Sequence, residues 1–342
     1  MVNIKYKVCV VTVTYGNRWR FLKQVLERVL SFDAVSNVVV VDNASVYKVD
    51  EHARQLNDQR IFTISNTENK GSAGGYNQGI AYAFEQTRAD FIWLLDDDNL
   101  PGETALDGLL TAWDDIGGGD NKALFCLRED RAAHIRIAKG ENPYRYYLVP
   151  DNFLGFNIFR IITNRLNKLK DKRANNAHYL KYATMPYVPY GGLLIPRQIV
   201  AKIGYPNERF FLYVDDSEYS YRITQQNGVI WLVPGCKVVD IDQSQGIGYV
   251  QKPLRSHLLD QWNFRTYYHI RNRIYFYSRV AIKNQFLFKI NKAIYLAFLG
   301  LIGILSDKTT EYKQLVQAVN DGLKGKLGEA APERYTSPSD NK

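Results

Sequence analysis

The sequence predicts an α/β fold built on a mostly parallel central sheet, and three segments carry that prediction. Val8–Val13 and Asn37–Val41 are short, rich in β-branched residues and typical of buried strands. Between them, Trp19–Leu30 places its apolar residues at helical spacing. A strand, a helix and a strand in this order form a βαβ unit, which joins parallel strands by a right-handed crossover.

The rest of the chain continues this alternation of strands and helices. Strands are predicted at Arg60–Ser65, Phe91–Leu95 and Ala123–Leu127, helices at Ile80–Gln86, Ala105–Trp113 and Arg197–Ile203, and ordered structure at Tyr187–Ile195. Residues 128–181 mix basic and aromatic side chains, notably at 165–173. This segment either covers one side of a ligand-binding site or is a solvated insertion.

Composition and net charge limit the domain organisation and the classes of partner but do not identify the function. The 342 residues are 46% hydrophobic, enough for one large domain or two modest ones. A net charge of +9 suits nucleic acid, an anionic membrane surface or a negatively charged nucleotide. No nucleic-acid-binding motif is present, so we expect no nucleic-acid partner.

Cysteine usage and hydropathy favour a cytoplasmic protein. Cys9, Cys126 and Cys236 are odd in number and widely spaced, which argues against a disulfide framework or a zinc site. We expect no secretory signal, because no charged and apolar leader precedes the first strand. The longest apolar segment, Ala293–Leu305, is shorter than the roughly 20 residues that span a bilayer.

Three adjacent carboxylates, Asp96, Asp97 and Asp98, follow the predicted strand at Phe91. Ligands bind at the carboxyl ends of strands in open α/β sheets. Carboxylates this close repel one another unless a cation shares the space, and oxygen ligands suit Mg²⁺ or Mn²⁺. Strand alternation predicts that Asp96 and Asp98 point to the same side. A solvated acidic turn is the alternative, which the preceding buried strand makes less favourable.

Two further motifs are compatible with a ligand site. Asn69–Gly79 contains four glycines between a strand and a helix, so its backbone could approach an anion at the helix N-terminus. Its order matches neither the dinucleotide fingerprint nor the P-loop, and a surface turn is equally compatible. Asp215, Asp216 and Glu218 follow a second aromatic run, where helix capping is the simpler explanation for an isolated motif.

Taken in order, these motifs resemble the family 2 glycosyltransferases, inverting enzymes of the GT-A fold, over roughly the first 280 residues. The matching elements are Val11–Tyr15, Val40–Ser45, Asn69–Tyr76, Asp96–Asp98, Asp216–Glu218 and Arg271–Arg273. The resemblance implies a Rossmann-like sheet with helices on both faces and a nucleotide-sugar donor. It also implies a divalent metal, Mn²⁺ or Mg²⁺.

The resemblance also implies residue roles. Donor-binding residues would be Thr14, Tyr15, Asp42, Asn69, Gly71, Gly74, Gly75, Asp96 and Asp97. Asp216 would be the general base, with Asp215 and Glu218 beside it, and Tyr190, Gly191, Gly192 and Glu218 would bind the acceptor. The metal would be held by Asp96, Asp98 and Asp240. Asp240 stands where family members often place a His, with Asp242 as an alternative and His257 less favoured.

Within the family, the motifs look most like galactofuranosyltransferases, with transfer from dTDP-rhamnose as the alternative. We expect transfer from UDP-galactofuranose to a glycan or lipid-linked glycan acceptor in cell-surface polysaccharide synthesis, for example of O-antigen. Two other classes stay open: a nucleotidyltransferase and a non-catalytic glycan-binding or assembly protein.

The expected organisation is linear. Residues 1–262 would form the GT-A domain, with a nucleotide-binding half at 1–127 and an acceptor half at 128–262. A helical region at 263–328 and a polar tail at 329–342 would follow. A continuous helix over 264–283 would align Arg265, His269, Asn272, Arg273, Arg279 and Lys283 on one stripe. This stripe predicts either contact with the inner face of the cytoplasmic membrane or a packed helix or homo-oligomer contact.

Overall fold

The computed structural model describes residues 5–161, 178–242 and 253–336. The basic segment at 165–173 and residues 337–342 of the predicted tail lie outside the described residues. The chain divides into two compact units. Unit 1 comprises residues 1–143, 179–208 and 215–245, and unit 2 comprises residues 144–178, 209–214 and 246–342.

Unit 1 is an α/β unit that confirms the predicted fold class. Its strands are β1 (Val8–Thr14), β2 (Val35–Asn43), β3 (Ile61–Asn66), β4 (Phe91–Leu94), β5 (Asn99–Pro101), β6 (Lys122–Leu127), β7 (Ala183–Met185), β8 (Leu193–Pro196) and β9 (Val229–Asp240). Its helices are α1 (Trp19–Leu30), α2 (Val49–Arg54), α3 (Gly71–Gln86), α4 (Ala105–Asp115), α5 (Ala132–Ala138), α6 (Arg197–Ile203) and α7 (Asp215–Gln225).

The sheet is mixed, and its strand order brings the acidic motifs to one region. The order is β3-β2-β1-β4-β8-β6-β9-β5, with β7 paired to β9. Strands β3, β2, β1 and β4 are mutually parallel, whereas β8 runs antiparallel to both β4 and β6. The parallel half therefore carries the βαβ units that the sequence predicts.

Helix α1 shows how the sequence pattern produces the core. Its apolar residues Leu22, Val25, Leu26 and Val29 are fully buried, and they recur at the spacing of one helical face. They pack in one cluster with Val10 and Val38 of the sheet and with Trp93 of β4. All three cysteines are buried and unpaired, which agrees with the expectation that they form no disulfide framework.

The glycine-rich segment is helical, which corrects the predicted loop. Helix α3 begins at Gly71, so Gly74, Gly75 and Gly79 lie within its first three turns. A Cβ added at Gly75 would lie 2.5 Å from Val13 Cγ1, and one at Gly79 would lie 2.5 Å from Val11 Cγ1. These two glycines therefore let the helix lie directly on β1, and close packing rather than a mobile loop accounts for them.

Unit 2 is helical and contains α8 (His257–Asp260), α9 (Phe264–Val280), α10 (Gln285–Leu305) and α11 (Thr309–Lys324). The fully buried Asn272 of α9 donates hydrogen bonds to the backbone carbonyls of Phe210, Leu212 and Tyr213 at 2.8–3.0 Å. Arg271 donates to the Phe210 carbonyl as well, at 3.0 Å. These contacts give Arg271 and Asn272 of the Arg271–Arg273 motif a structural role.

The segment that Asn272 holds has an unusual backbone. Phe211, Tyr213 and Val214 all have φ between 63° and 66°, a left-handed conformation that costs free energy for residues with a side chain, most of all for a β-branched one. The hydrogen bonds from Asn272 offset part of that cost. The chain enters α7 directly after Val214, so this segment precedes the predicted catalytic residues.

The linear domain boundaries predicted from the sequence differ from the observed units. Residues 144–178 and 209–214 belong to unit 2 although they interrupt unit 1 in the chain. Asp151 shows why, because its Oδ1 accepts hydrogen bonds from the backbone N–H of Lys283 and of Asn284, both at 2.7 Å. Asn291 donates to the Asp151 carbonyl at 2.8 Å. These contacts tie an early segment to the start of α10.

The C-terminal helices also differ from the predicted continuous stripe. Helix α9 ends at Val280, so Lys283 lies beyond it, and Asn272 is buried inside unit 2. Helix α10 is longer than the predicted apolar segment. Among the described residues it is the helix whose length and composition would suffice to cross a membrane, and 28% of its most apolar window is buried.

We predict that Gly79→Ala destabilises unit 1, because the new methyl group would lie 2.5 Å from Val11 Cγ1 and 3.1 Å from Val41 Cγ2. Overpacking of this kind costs about 1–3 kcal/mol. The shift in the urea unfolding midpoint measures the loss. Gly235→Ala is the matched control, because a Cβ there meets nothing within 4 Å. An unchanged midpoint for Gly79→Ala would contradict the packing role.

Candidate functional site

A cluster of one arginine and three carboxylates lies at the carboxyl end of β4, and we call it the Arg18 cluster. Arg18 Nε donates to both oxygens of Asp97 at 2.8 and 2.9 Å, and Nη1 donates to Asp242 Oδ2 at 2.7 Å. Nη2 donates to Asp98 Oδ2. Thr14 Oγ1, at the end of β1, donates to Asp97 Oδ2 at 2.7 Å. The cluster thus joins three parts of the chain that are far apart in sequence.

Asp96 and Asp98 have different hydrogen-bond partners. Strand β4 ends at Leu94, so the strict alternation of strand side chains does not extend to the three carboxylates. Asp96 Oδ1 accepts a hydrogen bond from the Tyr76 hydroxyl at 2.8 Å, and the same hydroxyl is 2.9 Å from the Leu95 carbonyl. Asp97 and Asp98 instead share Arg18.

Burial gives the carboxylates of this cluster a strong need for positive charge. Desolvation raises the pKa of Asp98 to about 7, with the neighbouring Asp96 and Asp97 carboxylates adding to the rise and Arg18 opposing it. Burial also raises the pKa of Asp97 to about 6, against the lowering effect of Arg18 and Thr14. A cation brought to this cluster is therefore stabilised electrostatically.

The donor set fits a hard divalent cation in its chemistry. Carboxylate oxygens are the ligands that Mg²⁺ and Mn²⁺ prefer. The guanidinium of Arg18 is the cation that Asp98 and Asp242 share. Within residues 5–161, 178–242 and 253–336, no group of three acidic, His or Cys side chains is arranged around an open position for an ion.

Two aspartates at the end of β9 differ as candidates for a third metal ligand. Asp240 is 30% exposed, and its Oδ2 lies 3.4 Å from Nη2 of the buried Arg128. Asp242 is only 4% exposed and shares Arg18 with Asp98. Asp240 lies close enough to Asp98 to contribute to the raised pKa of that carboxyl, whereas Asp242 is joined to Asp98 through Arg18.

The predicted nucleotide-binding residues line the ends of β1 and β2. Asp42 is buried, and its Oδ1 accepts a hydrogen bond from the backbone N–H of Ser45 at 2.8 Å. Tyr15 lies at the surface with 37% of its side chain exposed. Thr14 is fully buried on Asp97, so its side chain supports the Arg18 cluster.

Asn43, which the sequence did not single out, fixes the start of α3. Its side chain donates to Asn69 Oδ1 and to the Gly71 carbonyl, both at 2.9 Å, and accepts from the backbone N–H of Lys70 at 2.9 Å. Asn69 Oδ1 also accepts from the Gly71 N–H at 2.8 Å. The side chain of Asn69 is therefore engaged in holding the loop.

The second acidic group lies at the start of α7. Asp215 is buried, its Oδ1 accepts a hydrogen bond from Ser72 Oγ at 3.0 Å, and the Tyr190 hydroxyl also interacts with its carboxyl group. Burial and the adjacent Asp216 raise the pKa of Asp215 well above its ordinary value. Asp216 is half-buried, and burial raises its pKa as well, although the Ser217 N–H donates to its Oδ1 at 2.6 Å.

Glu218 has a structural partner in the same helix. Arg222 Nε and Nη2 donate to its two carboxylate oxygens at 2.9 and 2.6 Å, a two-point ion pair. Arg222 also donates to the backbone carbonyls of Ile203 and Tyr205. The structure therefore holds Glu218 in an ion pair that connects α7 to the end of α6.

The predicted acceptor residues Tyr190, Gly191 and Gly192 precede β8 and are all buried. The ring of Tyr190 lies 3.9 Å from that of Tyr76, centroid to centroid. A Cβ at Gly191 would lie 1.7 Å from Asn99 Oδ1, and Gly192 has φ of 106°. Close packing thus requires a glycine at 191, and the left-handed backbone favours one at 192, directly before β8.

One helix connects the two acidic groups. Ser72 contacts Asp215 and Tyr76 contacts Asp96, and these two residues stand four positions apart on α3, which places them on one face. The sequence did not identify Arg18, Tyr76 or Arg128 as part of the site. The sequence feature that could have indicated a residue such as Arg18 is the acidic cluster itself, because buried carboxylates require a cation nearby.

Comparison with known proteins supports a family. Residues 9–169, just under half of the chain, match the model described as Glycosyl transferase family 2. A curated relative, the low-salt glycan biosynthesis hexosyltransferase Agl10 of Haloferax volcanii, is 27% identical over 217 residues. That region is 62% of this chain and 60% of the relative, so it spans less than two thirds of that protein.

Solved structures share the fold at low sequence identity. The mannosyltransferase PcManGT from Pyrobaculum calidifontis, in complex with GDP-Man and Mn²⁺, has a TM-score of 0.53 at 17% identity, over 95% of this chain and 89% of that one. S. aureus TarS 1-349 has a TM-score of 0.50 at 13% identity, over 94% and 82%. GalNAc-T7 with UDP, GalNAc and Mn²⁺ has 0.50 at 16%, over 72% and 45%.

These likenesses show the fold. The chain has a GT-A-like α/β fold with a central mixed sheet, followed by a helical C-terminal region. The family model covers just under half of the chain, and the solved structures at 13–17% identity show the fold alone.

Proposed function

We propose that this chain, as a member of glycosyl transferase family 2, transfers a hexose from a nucleotide-sugar donor to a glycan acceptor with inversion of configuration. The observation that carries the proposal is the placement of two acidic groups beside one helix. Asp96 is bound by Tyr76 of α3, and Asp215 is bound by Ser72 of the same helix. One group suits a metal-bound diphosphate, and the other suits a general base.

The donor side would use the carboxyl end of the parallel strands. Asp42 would contact the nucleotide beside Tyr15, and Asp96 and Asp98, with Asp240 or Asp242, would hold the ion. A bound divalent cation supplies positive charge for the departing diphosphate. Mn²⁺ accompanies the nucleotide sugar in the mannosyltransferase structure and UDP in the GalNAc-T7 structure, and these similarities support Mn²⁺ or Mg²⁺ here.

The acceptor side would use Asp216 as the general base. Its Oδ1 accepts hydrogen bonds from the Ser217 N–H and Oγ, so Oδ2 is the oxygen that would take the proton from the acceptor hydroxyl. The raised pKa of Asp216 brings its basicity closer to neutral pH, which favours general-base catalysis. Asp215, buried behind it, would orient the start of α7, and Glu218 would act through its ion pair with Arg222.

For the donor sugar we propose galactofuranose, carried by UDP. The Ala73–Gly75 segment, the three consecutive aspartates and the Val214–Glu218 run support it by their resemblance to galactofuranosyltransferases. Transfer of rhamnose from dTDP-rhamnose is the alternative. The hexosyltransferase relative, which is named for low-salt glycan biosynthesis, supports transfer of a hexose and a role in glycan synthesis.

A membrane partner is part of the proposal, because the chain's charge is unevenly divided. Unit 2 contains 23 Lys and Arg against 9 Asp and Glu, a net charge of +14, whereas unit 1 contains 21 against 26. Helix α10 in unit 2 also exposes Phe286, Phe298, Leu301 and Ile304, each by more than half. A basic body with an exposed apolar helix suits an anionic bilayer that carries a lipid-linked acceptor.

We expect Asp216→Asn to lose transfer while keeping donor binding, because the amide cannot accept the hydroxyl proton. The turnover number should fall about 10²–10⁴-fold. The affinity for the nucleotide with Mn²⁺, measured by calorimetry, should stay unchanged. The assay compares UDP-galactofuranose, dTDP-rhamnose and UDP-hexopyranoses as donors. Asp50→Asn, in an exposed ion pair with Arg54, is the matched control. Turnover retained by purified Asp216→Asn would exclude it as the base.

We also expect the full chain to sediment with vesicles of anionic phospholipid at low salt and less at high salt, since charged surfaces are screened. Replacing Phe298 and Leu301 by Ser should weaken this sedimentation. Phe62→Ser, an exposed aromatic residue of unit 1, should leave it unchanged. Equal sedimentation of the α10 variant and the native chain would show that this helix does not contact the bilayer.

A further inference from the structure

The side chain of Arg18 holds an unusual position for a residue at the start of a helix. Its backbone carbonyl accepts the hydrogen bonds that open α1, from the Phe21 N–H at 2.9 Å and the Leu22 N–H at 3.1 Å. The side chain turns towards the end of β4 and is only 12% exposed. The backbone is therefore fixed, and any exchange of partners by Arg18 takes place through rotation of its side chain.

Each nitrogen of the guanidinium serves a different carboxylate. Nε donates to Asp97, and Thr14 Oγ1 donates to the same carboxylate, so two hydrogen-bond donors hold Asp97 in place. The two terminal nitrogens go to Asp98 and Asp242, whose side chains are 10% and 4% exposed. These two aspartates from distant parts of the chain therefore share one cation, the guanidinium of Arg18.

The cluster gathers several acidic groups around one guanidinium. Asp97, Asp98 and Asp242 all contact Arg18, and Asp96 adjoins them in the sequence. Carboxylates held this close repel one another when they are ionised. A divalent cation supplies more positive charge than the terminal nitrogens of Arg18, and carboxylates bind it directly.

We propose that Arg18 is a built-in counter-cation that occupies the metal position of the donor-free protein. Nη1 and Nη2 of Arg18 would leave Asp242 and Asp98 when an ion binds there, while Nε would remain on Asp97. Arg18 thereby keeps the aspartates assembled between turnovers and lowers the affinity for the metal alone. It is a positioning residue. The proposal rests on the metal site of the proposed function.

A binding experiment without donor or acceptor tests this competition. Mn²⁺ affinity is measured by calorimetry and by the loss of the free-ion electron paramagnetic resonance signal. Arg18→Gln should bind Mn²⁺ about 10-fold more tightly or better, because the open state no longer has to be populated first. Arg20→Gln is the control, since Arg20 is exposed and its guanidinium lies over the Phe21 ring.

Arg18→Lys separates displacement from simple electrostatics. It keeps the positive charge but loses the planar fork that bridges three carboxylates. If direct occupancy matters, Arg18→Lys also binds Mn²⁺ more tightly than the native chain. If Arg18 acts only as a nearby charge, Arg18→Lys binds as the native chain does, and that result overturns the proposal.

A second experiment uses the native chain and needs no variant. Titration with diamagnetic Mg²⁺ should restore fast rotation about the Arg18 Cζ–Nη bonds, seen in the guanidinium ¹⁵N signals, while the Nε–H signal stays protected. Unchanged Nη signals at saturating Mg²⁺ would contradict displacement.

Failure of the proposed metal site and failure of the proposed Arg18 role give different results. No Mn²⁺ binding by either native or variant chains contradicts the metal site itself, whereas normal native binding with an unaltered Arg18→Lys contradicts only the role of Arg18.

Discussion

The structure depends on keeping several carboxylates buried at the end of one strand. Burial raises the pKa values of Asp97 and Asp98, so each ionised carboxylate there needs a positive partner. Arg18 is that partner in the present state. Because it reaches Asp242 as well, the same interaction ties the end of β9 to the β1–α1 connection. The acidic cluster therefore connects the ends of β1, β4 and β9.

Close helix-to-sheet packing is the second constraint. Gly75 and Gly79 bring α3 onto β1, and that approach places Ser72 and Tyr76 where they contact Asp215 and Asp96. A larger residue at either glycine would move the helix that connects the two acidic groups. The glycine-rich segment thus positions both contacts through helix packing, although its composition predicts a ligand-binding loop or a surface turn.

Much of the fold could be predicted from the sequence, because hydrophobic periodicity reports burial directly. Helix α1 has the predicted bounds, and the parallel half of the sheet follows from the βαβ pattern. The antiparallel β8 and the interleaved units could not be predicted, since they depend on contacts between distant segments, such as Asp151 with Lys283 and Asn284. Local sequence pattern contains no signal for such long-range contacts.

The acidic residues of the site could be found from the sequence, but their partners could not. The pairing of Asp97 and Asp98 on Arg18 depends on β4 ending at Leu94, and strand ends are poorly marked by sequence pattern. The ion pair of Glu218 with Arg222 follows helical i, i+4 spacing and could have been predicted from the sequence. The most direct test of the account is the anomeric configuration of the product formed from UDP-galactofuranose and Mn²⁺ with glycan or lipid-linked glycan acceptors, read by NMR. The account predicts a transferred sugar with the configuration opposite to that in the donor. Retention of configuration, or no transfer from any nucleotide sugar, would contradict it.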